Sequence, residues 1–428
     1  MTRKAAFYGW TLVAALFALD FLNMGFPFFG GAVINTYMLK QIPMPRSTYG
    51  LGFTLLNLFI GLPSTLVAAS ILKWGAKSAF AIGSALIFCG TLWLSLFATK
   101  PWHYLAAYGV VIATGISFST LVPVTTLTAR WFKRYRGRAM AIPLSASGFA
   151  GFVGAPLINK VLAANGGNWR QAWLVVAGIS VASAIIAFIF VKERPEDLGQ
   201  LVDGGPGKAA AGAASAANSR ITDYAWTPGE AYRTRSYWMI LIGGIACQFP
   251  YFFFVAHWIL HLRGANIDAA TAAWAMGIFT LGGICGRAIG GVLMDMMTAR
   301  YAFMLGLCCY LAGSLMAMEV SASALPTAIT AGILYGAGFG WTFICLNTIT
   351  AHFYGPAAFP KLNGMMLVMT GIACSPAGFV GGKVFDKFGS YSRAFEFNIA
   401  LAVIGILALS IAITPRPRTP VGTRPIDS

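Results

Sequence analysis

Twelve apolar runs, each about as long as a bilayer is thick, decide what this chain can fold into. A helix crossing the ~30 Å hydrocarbon core needs about 20 mostly apolar residues, and backbone in lipid must satisfy its own hydrogen bonds. The runs lie at about 8–37, 50–72, 79–98, 103–129, 139–160, 170–191, 236–261, 272–294, 302–318, 326–352, 361–382 and 394–414. Only 10% of the 428 residues are charged and 57% are hydrophobic, whereas soluble proteins carry about 25% charged residues. Such a chain cannot coat a water-soluble globule. It is expected to be an all-α membrane protein with twelve transmembrane helices. The first run is too long for a signal-peptide core and lacks a small-residue cleavage site, so it is expected to remain as the first span.

A single long polar segment, 192–235, divides six runs from six. Its stretch from Gly204 to Ser219 is rich in Gly, Ala and Ser and reads as a flexible linker. The expected organisation is a six-helix bundle at 1–191, a linker loop at 192–235, a second six-helix bundle at 236–414 and a tail at 415–428. Weak symmetry supports two repeats. The second and eighth runs end in related turns, Leu72-Lys73-Trp74-Gly75-Ala76-Lys77 and Gly291-Val292-Leu293-Met294-Asp295 followed by Arg300. Parallel six-span repeats are found in rocking transporters whose site lies at mid-depth.

The formal charge of +17 would suit a nucleic-acid partner, but the basic residues are distributed by side. With both termini in the cytoplasm, Lys40, Arg46, Lys100, Lys160, Arg170, Arg263, Lys383, Lys387 and Arg393 fall outside. Twenty of the 30 Lys and Arg fall inside, and Arg287 lies within a run. Cytoplasmic loops carry the excess of Lys and Arg, so both termini are expected in the cytoplasm and no nucleic acid is expected to bind. The surroundings are then the lipid of an inner (plasma) membrane. The seven cysteines all sit in apolar runs, oddly numbered and scattered, and read as small hydrophobes rather than a disulfide framework or metal site.

Three polar residues are out of place in lipid, where a central charge costs at least ~2.5–3.5 kcal/mol. Arg287 stands among Gly282, Gly283, Gly286, Gly290 and Gly291, which admit a neighbouring helix closely and leave room for a guanidinium. Its fork of donors matches a carboxylate; the bland alternative is a side chain reaching for the interface. Asp20 lies near the middle of the first run. It is a candidate proton carrier, because a carboxyl removed from water favours its neutral form, or a partner for Arg287, or a protonated group bonded to a nearby helix. His257, in a Phe-rich stretch beside Trp258, could donate to a carboxylate or take up a proton, or be an interfacial residue in an aromatic belt. Tyr335, Trp341 and Asn347 of the tenth run and Asn23 of the first are further lining candidates. No phosphate-binding Gly-x-x-x-x-Gly-Lys-Ser/Thr loop, metal-ligand cluster or catalytic constellation is visible. Neither an enzyme nor a cofactor is expected.

Certain motifs resemble the major facilitator superfamily and, within it, the monocarboxylate porter family with its oxalate/formate-type bacterial branch. Trp131-Phe132-Lys133-Arg134-Tyr135-Arg136-Gly137-Arg138-Ala139-Met140-Ala141, continuing to Ser147-Gly148-Phe149-Ala150-Gly151, is similar to the family's entry to the fifth span. Tyr8-Gly9-Trp10 resembles its first-span entry, and Gly382-Lys383-Val384-Phe385-Asp386-Lys387-Phe388-Gly389-Ser390-Tyr391 its last-loop turn. The resemblance implies the twelve-helix, two-bundle fold and places Arg287 where members hold a substrate carboxylate. It puts His257 in the seventh span, where polar site residues occur. Animal members have an Asp four residues before that Arg, here Gly283, and a Lys after the first-span Phe-Pro, here Phe28. Oxalate-exchanging members have an eleventh-span Lys, absent from Leu362 to Gly382.

These readings converge on a secondary transporter, functional as a monomer, that moves a small lactate- or pyruvate-like monocarboxylate with a proton by alternating access. Arg287 would clamp the carboxylate, and Asp20 or His257 would carry the proton. The alternatives are an organic anion exchanger and an exporter of aromatic or hydrophobic acids. A non-transporting receptor is a further possibility of another class.

Overall fold

A computed structural model describes residues 7–132, 135–204, 222, 224, 226–321 and 323–415. Most of the expected Gly204–Ser219 linker and nearly all of the 415–428 tail lie outside the described residues. Twelve helices are long and apolar enough to span a membrane: α1 Gly9–Gln41, α2 Arg46–Trp74, α3 Ala76–Phe97, α4 Pro101–Trp131, α5 Ala139–Ala164, α6 Trp169–Phe190, α7 Arg235–Gly264, α8 Ala269–Met294, α9 Ala299–Met318, α10 Leu325–Gly355, α11 Lys361–Phe388 and α12 Ser392–Ile411. An even number of crossings leaves both ends of the described chain on one side, called here the termini end. Leu72, Ile185, Phe188, Ile404 and Leu407 are among the large apolar side chains left exposed, as expected where lipid is the solvent.

Within the first six helices, α1 packs on α5 and α6, and α3 on α4 and α6; within the last six, α10 lies against α8 and α9, and α12 against α7 and α9. Contacts between the two sets run chiefly through α2 with α11 and α5 with α8. Small residues make both crossings possible, since without a hydrophobic drive between helices close backbone approach supplies the packing. A Cβ on Gly50 would collide with the Gly378 carbonyl, and one on Gly382 with the Arg46 carbonyl. At mid-depth Gly148 lies against Ile284, Gly151 against Thr280 and Gly277 against the Phe152 backbone.

Several helices are interrupted. α2 breaks at Leu62-Pro63 and α11 at Ser375-Pro376, where proline removes a backbone donor and crowds the preceding turn. α1 contains a wide π-helical stretch at Gly25–Gly30 around Pro27. The α2–α11 contact lies on the far side of both breaks from the termini. On the termini side, Gly61, Gly364 and Gly371 face open space.

Helix ends differ from the expected limits. α2 starts at Arg46 rather than 50, and α11 continues to Phe388 rather than 382. One interaction explains both. The Asp386 carboxylate accepts the Arg46 and Ser47 backbone N–H groups at 2.8 and 2.9 Å, capping α2 from the last turn of α11. The expected last loop therefore shrinks to Gly389–Tyr391, turned by Gly389 at φ +68°.

At the termini end the resembling motifs meet. Trp10 packs on Phe132 and Tyr8 on Trp131, with ring centroids 5.1 and 5.8 Å apart. Glu193 pairs with Arg130 at 2.7 Å and accepts the Lys77 N–H at 2.8 Å. These residues hold α1, α3, α4 and the end of α6 together.

Candidate functional site between the two halves

Arg287 owes its position to a stripe of glycines. Gly282, Gly286 and Gly290, four residues apart on one face of α8, let α10 settle against it at Ile333, Ala337 and Trp341. α10 answers with Gly336 beneath the Phe279 carbonyl and Gly340 beneath that of Gly283. Two backbones locked this closely form a rigid platform, and Arg287 projects beside the stripe, half-buried. Among the described residues it forms no hydrogen bond or ion pair.

Asp20 on α1 is 4% exposed and likewise has no hydrogen-bond partner among the described residues. The Arg287 guanidinium is near enough for its charge to act on this carboxyl, although the two stand more than 4.0 Å apart. Depth permits the meeting. At about 1.5 Å per residue, Asp20 lies about 16 Å from the termini end of α1 and Arg287 about 10 Å from that of α8, and the long arginine side chain covers the difference. A buried carboxyl from the first half and a half-buried cation from the second thus lie within reach of each other's charge.

Tyr251 of α7 also lies within the field of Arg287. Its ring stacks on Phe339 of α10 at 3.7 Å between centroids, and Phe339 continues to Phe343 at 5.5 Å. Phe339, Phe343 and Asn347 follow one another at four-residue spacing, and all three are half-buried. By helical position this strip lies between the α10 face touching α7 and the face touching α8. Asn347 thus shares a face with the aromatic strip, its amide donating to the Phe343 carbonyl at 2.7 Å.

The other sequence candidates are held elsewhere. Asn23 donates to Ser183 Oγ at 2.9 Å and the Ser119 carbonyl at 3.4 Å, tying α1 to α6 and α4. Tyr335 is fully buried and bonds Ser314 Oγ at 2.6 Å and Asn398 Nδ2 at 3.1 Å, joining α10 to α9 and α12. Trp341 packs over Gly290 and Gly306. Each side chain points at a neighbouring helix rather than toward Arg287, a difference of orientation that composition does not encode.

His257 belongs to a separate cluster at the far end. Its Nε2 lies 2.7 Å from the Gly378 carbonyl and its Nδ1 3.0 Å from the Tyr391 hydroxyl. A carbonyl only accepts, so these partners assign the proton to Nε2 and make Tyr391 the donor to Nδ1. The charges that act on the ring are those of Arg46 and Asp386. His257 thus joins α7 to α11 at the point where α11 meets α2. Burial raises the Tyr391 hydroxyl above its ordinary range, which keeps it neutral as that donor.

Sequence reasoning did not single out Tyr251, Phe339 or Phe343, and it named Asp386 only as part of the last-loop motif. The four-residue spacing from Phe339 to Asn347 is the signal that could have found the strip.

Family and fold are shared with known proteins. The profile of the Major Facilitator Superfamily matches residues 7–358 and 259–427. Monocarboxylate transporter 13 of Bos taurus is 25% identical over 412 residues, covering 93% of this chain and 88% of that protein. The oxalate:formate antiporter of Oxalobacter formigenes is 23% identical over 359 residues, covering 82% and 78%. Among solved structures, the nucleoside transporter NupG superposes with a TM-score of 0.73 at 14% identity, over 95% of this chain and all of that one. That last likeness concerns the fold alone.

Proposed function

The chain belongs to the Major Facilitator Superfamily, and from that membership we propose that this multi-pass membrane transporter moves a small monocarboxylate together with one proton. Relatives named for monocarboxylates and for oxalate and formate support a carboxylate substrate. The observation that carries the reading is the opposition of Arg287 and Asp20 across the two halves without a direct ion pair.

The charges set the stoichiometry. With Asp20 ionised, the pair sums to zero, and a bound monoanion would leave one uncompensated negative charge in a low-dielectric interior. That cost is removed when Asp20 takes a proton. The loaded site then holds Arg287, one monocarboxylate and a neutral Asp20. Moving a monoanion alone costs about 2.3 kcal/mol per 100 mV against a negative interior, and the accompanying proton cancels that term. A single central cation suits a monoanion better than a dianion.

The packing supports alternating access. The α2–α11 contact closes the far end, and the termini end is the side from which substrate would enter or leave in this conformation. With cytoplasmic termini, as the basic-residue bias favours, this is the inward-facing form of a plasma-membrane carrier working as a monomer. The roles are Arg287 as carboxylate clamp, Asp20 as proton carrier, Asn347 as a lining residue and His257 as a holder of the far-end closure.

The test is uptake of labelled pyruvate and lactate into proteoliposomes with and without an inward proton gradient. Gradient-driven uptake that disappears in Arg287→Ala is the expected result. Full uptake without a gradient, stimulated by a preloaded counter-anion, would replace symport by exchange.

A further inference from the structure

The charged pair accounts for a carboxylate and a proton but not for the surface around it. On the α10 side the half-buried rings of Phe339 and Phe343 form a continuous step leading away from Tyr251, with planes 18° and 29° apart along the series. Among the described residues Phe339 is the one ring that Phe343 stacks on. On the α1 side, Phe17 and Phe21 share a face with Asp20 and stack on each other at 6.4 Å and 14°. Both are half-buried. The charged pair therefore has aromatic surface on each half of the molecule.

A substrate of two or three carbons would fill its interaction with Arg287 and leave these rings uncovered. Each ring rests on protein on one side, Phe339 on Tyr251, Phe17 on Phe149 and Phe21 on Phe26, and keeps part of its surface open; that open part gains from a flat apolar partner, which replaces water and matches the ring quadrupole in offset or edge-on contact. Resting on the monocarboxylate reading above, we propose that the preferred substrates are arylcarboxylates: monoanions whose carboxylate meets Arg287 and whose ring lies against Phe343 and Phe339. The Arg287 backbone lies against Gly340, which stands between Phe339 and Phe343 on α10, so the carboxylate and ring are separated by a short linker. Phe339 and Phe343 then determine specificity, while Arg287 is indifferent to the substrate's body.

Pyruvate and phenylpyruvate test this directly, because they share the α-keto acid head and differ by the ring. In proteoliposomes, unlabelled phenylpyruvate is expected to compete with labelled pyruvate at about tenfold lower concentration than unlabelled pyruvate does. Phe343→Leu is expected to shrink that ratio toward one by weakening phenylpyruvate more than pyruvate. Equal competition by the two acids in the unaltered protein, or an unchanged ratio in Phe343→Leu, overturns the proposal and leaves the monocarboxylate reading intact. Thermal stabilisation of the detergent-solubilised, unaltered protein provides a second measurement independent of the variant's folding. Phenylpyruvate is expected to raise Tm more than pyruvate at equal concentration, and an equal rise overturns the proposal. Failure of both acids to stabilise the protein or be transported overturns the monocarboxylate reading itself.

Discussion

Asp20 and Arg287 approach from opposite halves of the molecule and interact through their fields while remaining more than 4.0 Å apart. The gap matters physically. A tight buried ion pair would satisfy both groups and leave little drive to bind a further anion, whereas a separated pair keeps the guanidinium donors available.

Arg287→Ala is expected to abolish carboxylate uptake, and Arg287→Lys to retain only a fraction. Lysine keeps the charge but not the planar fork. A lost charge-assisted bond of about 1.5–3 kcal/mol corresponds to a tenfold or greater loss of apparent affinity. Concentration-dependent uptake measures it; wild-type affinity in the alanine variant would remove Arg287 from the site.

Asp20→Asn mimics the protonated carboxyl permanently. Because the protonated form is the one that accompanies the monoanion, uptake by the unaltered protein should rise as the outside pH falls. The variant should give a flat profile while still exchanging one carboxylate for another across the membrane. A pH response identical to wild type would show that the proton travels elsewhere.

Asp386→Ala should loosen the far end. The carboxylate caps two N–H groups of α2 from the other half, and loss of such a cap costs about 0.5–2 kcal/mol. Backbone hydrogen exchange at Arg46 and Ser47 is expected to accelerate several-fold, with the closed far end less populated. Unchanged exchange at these amides would mean the cap contributes nothing to closure.

Gly336→Val should destabilise the C-terminal half by on the order of 1–3 kcal/mol, the range for overpacking a tight interface. The added side chain meets the Phe279 carbonyl, which cannot rotate away. Gly291→Ala, facing open space on the same helix as Arg287, is the matched control and should leave the melting temperature nearly unchanged. Equal behaviour of the two variants would contradict the glycine-stripe account.

The candidate site was legible wherever a residue was energetically anomalous. Arg287 and Asp20 stood out because a charge in lipid requires a reason. His257 stood out equally, yet its partners lie on α11 and in the loop after it, distant in sequence, so its place at the far-end crossing could not be anticipated. Tyr335, Trp341 and Asn23 have the composition of site residues but face neighbouring helices. Each residue turns a helix by about 100°, so position on a run says little about which neighbour a side chain meets. Phe339 and Phe343 were hidden among 32 phenylalanines, where one lining residue resembles many lipid-facing ones.

The amino-acid sequence by itself determined a membrane protein of twelve spans divided six and six, because lipid accepts only long apolar helices with internally bonded backbones. It also determined which charges would be conspicuous there. The tertiary structure alone decided that Asp20 comes within the field of Arg287, that His257 and Asp386 tie helices together at the opposite end, and that Tyr251 joins Phe339 and Phe343 beside the arginine. Those relationships depend on how closely glycine-bearing helices approach and on their rotation about their axes, and a hydropathy pattern contains neither quantity.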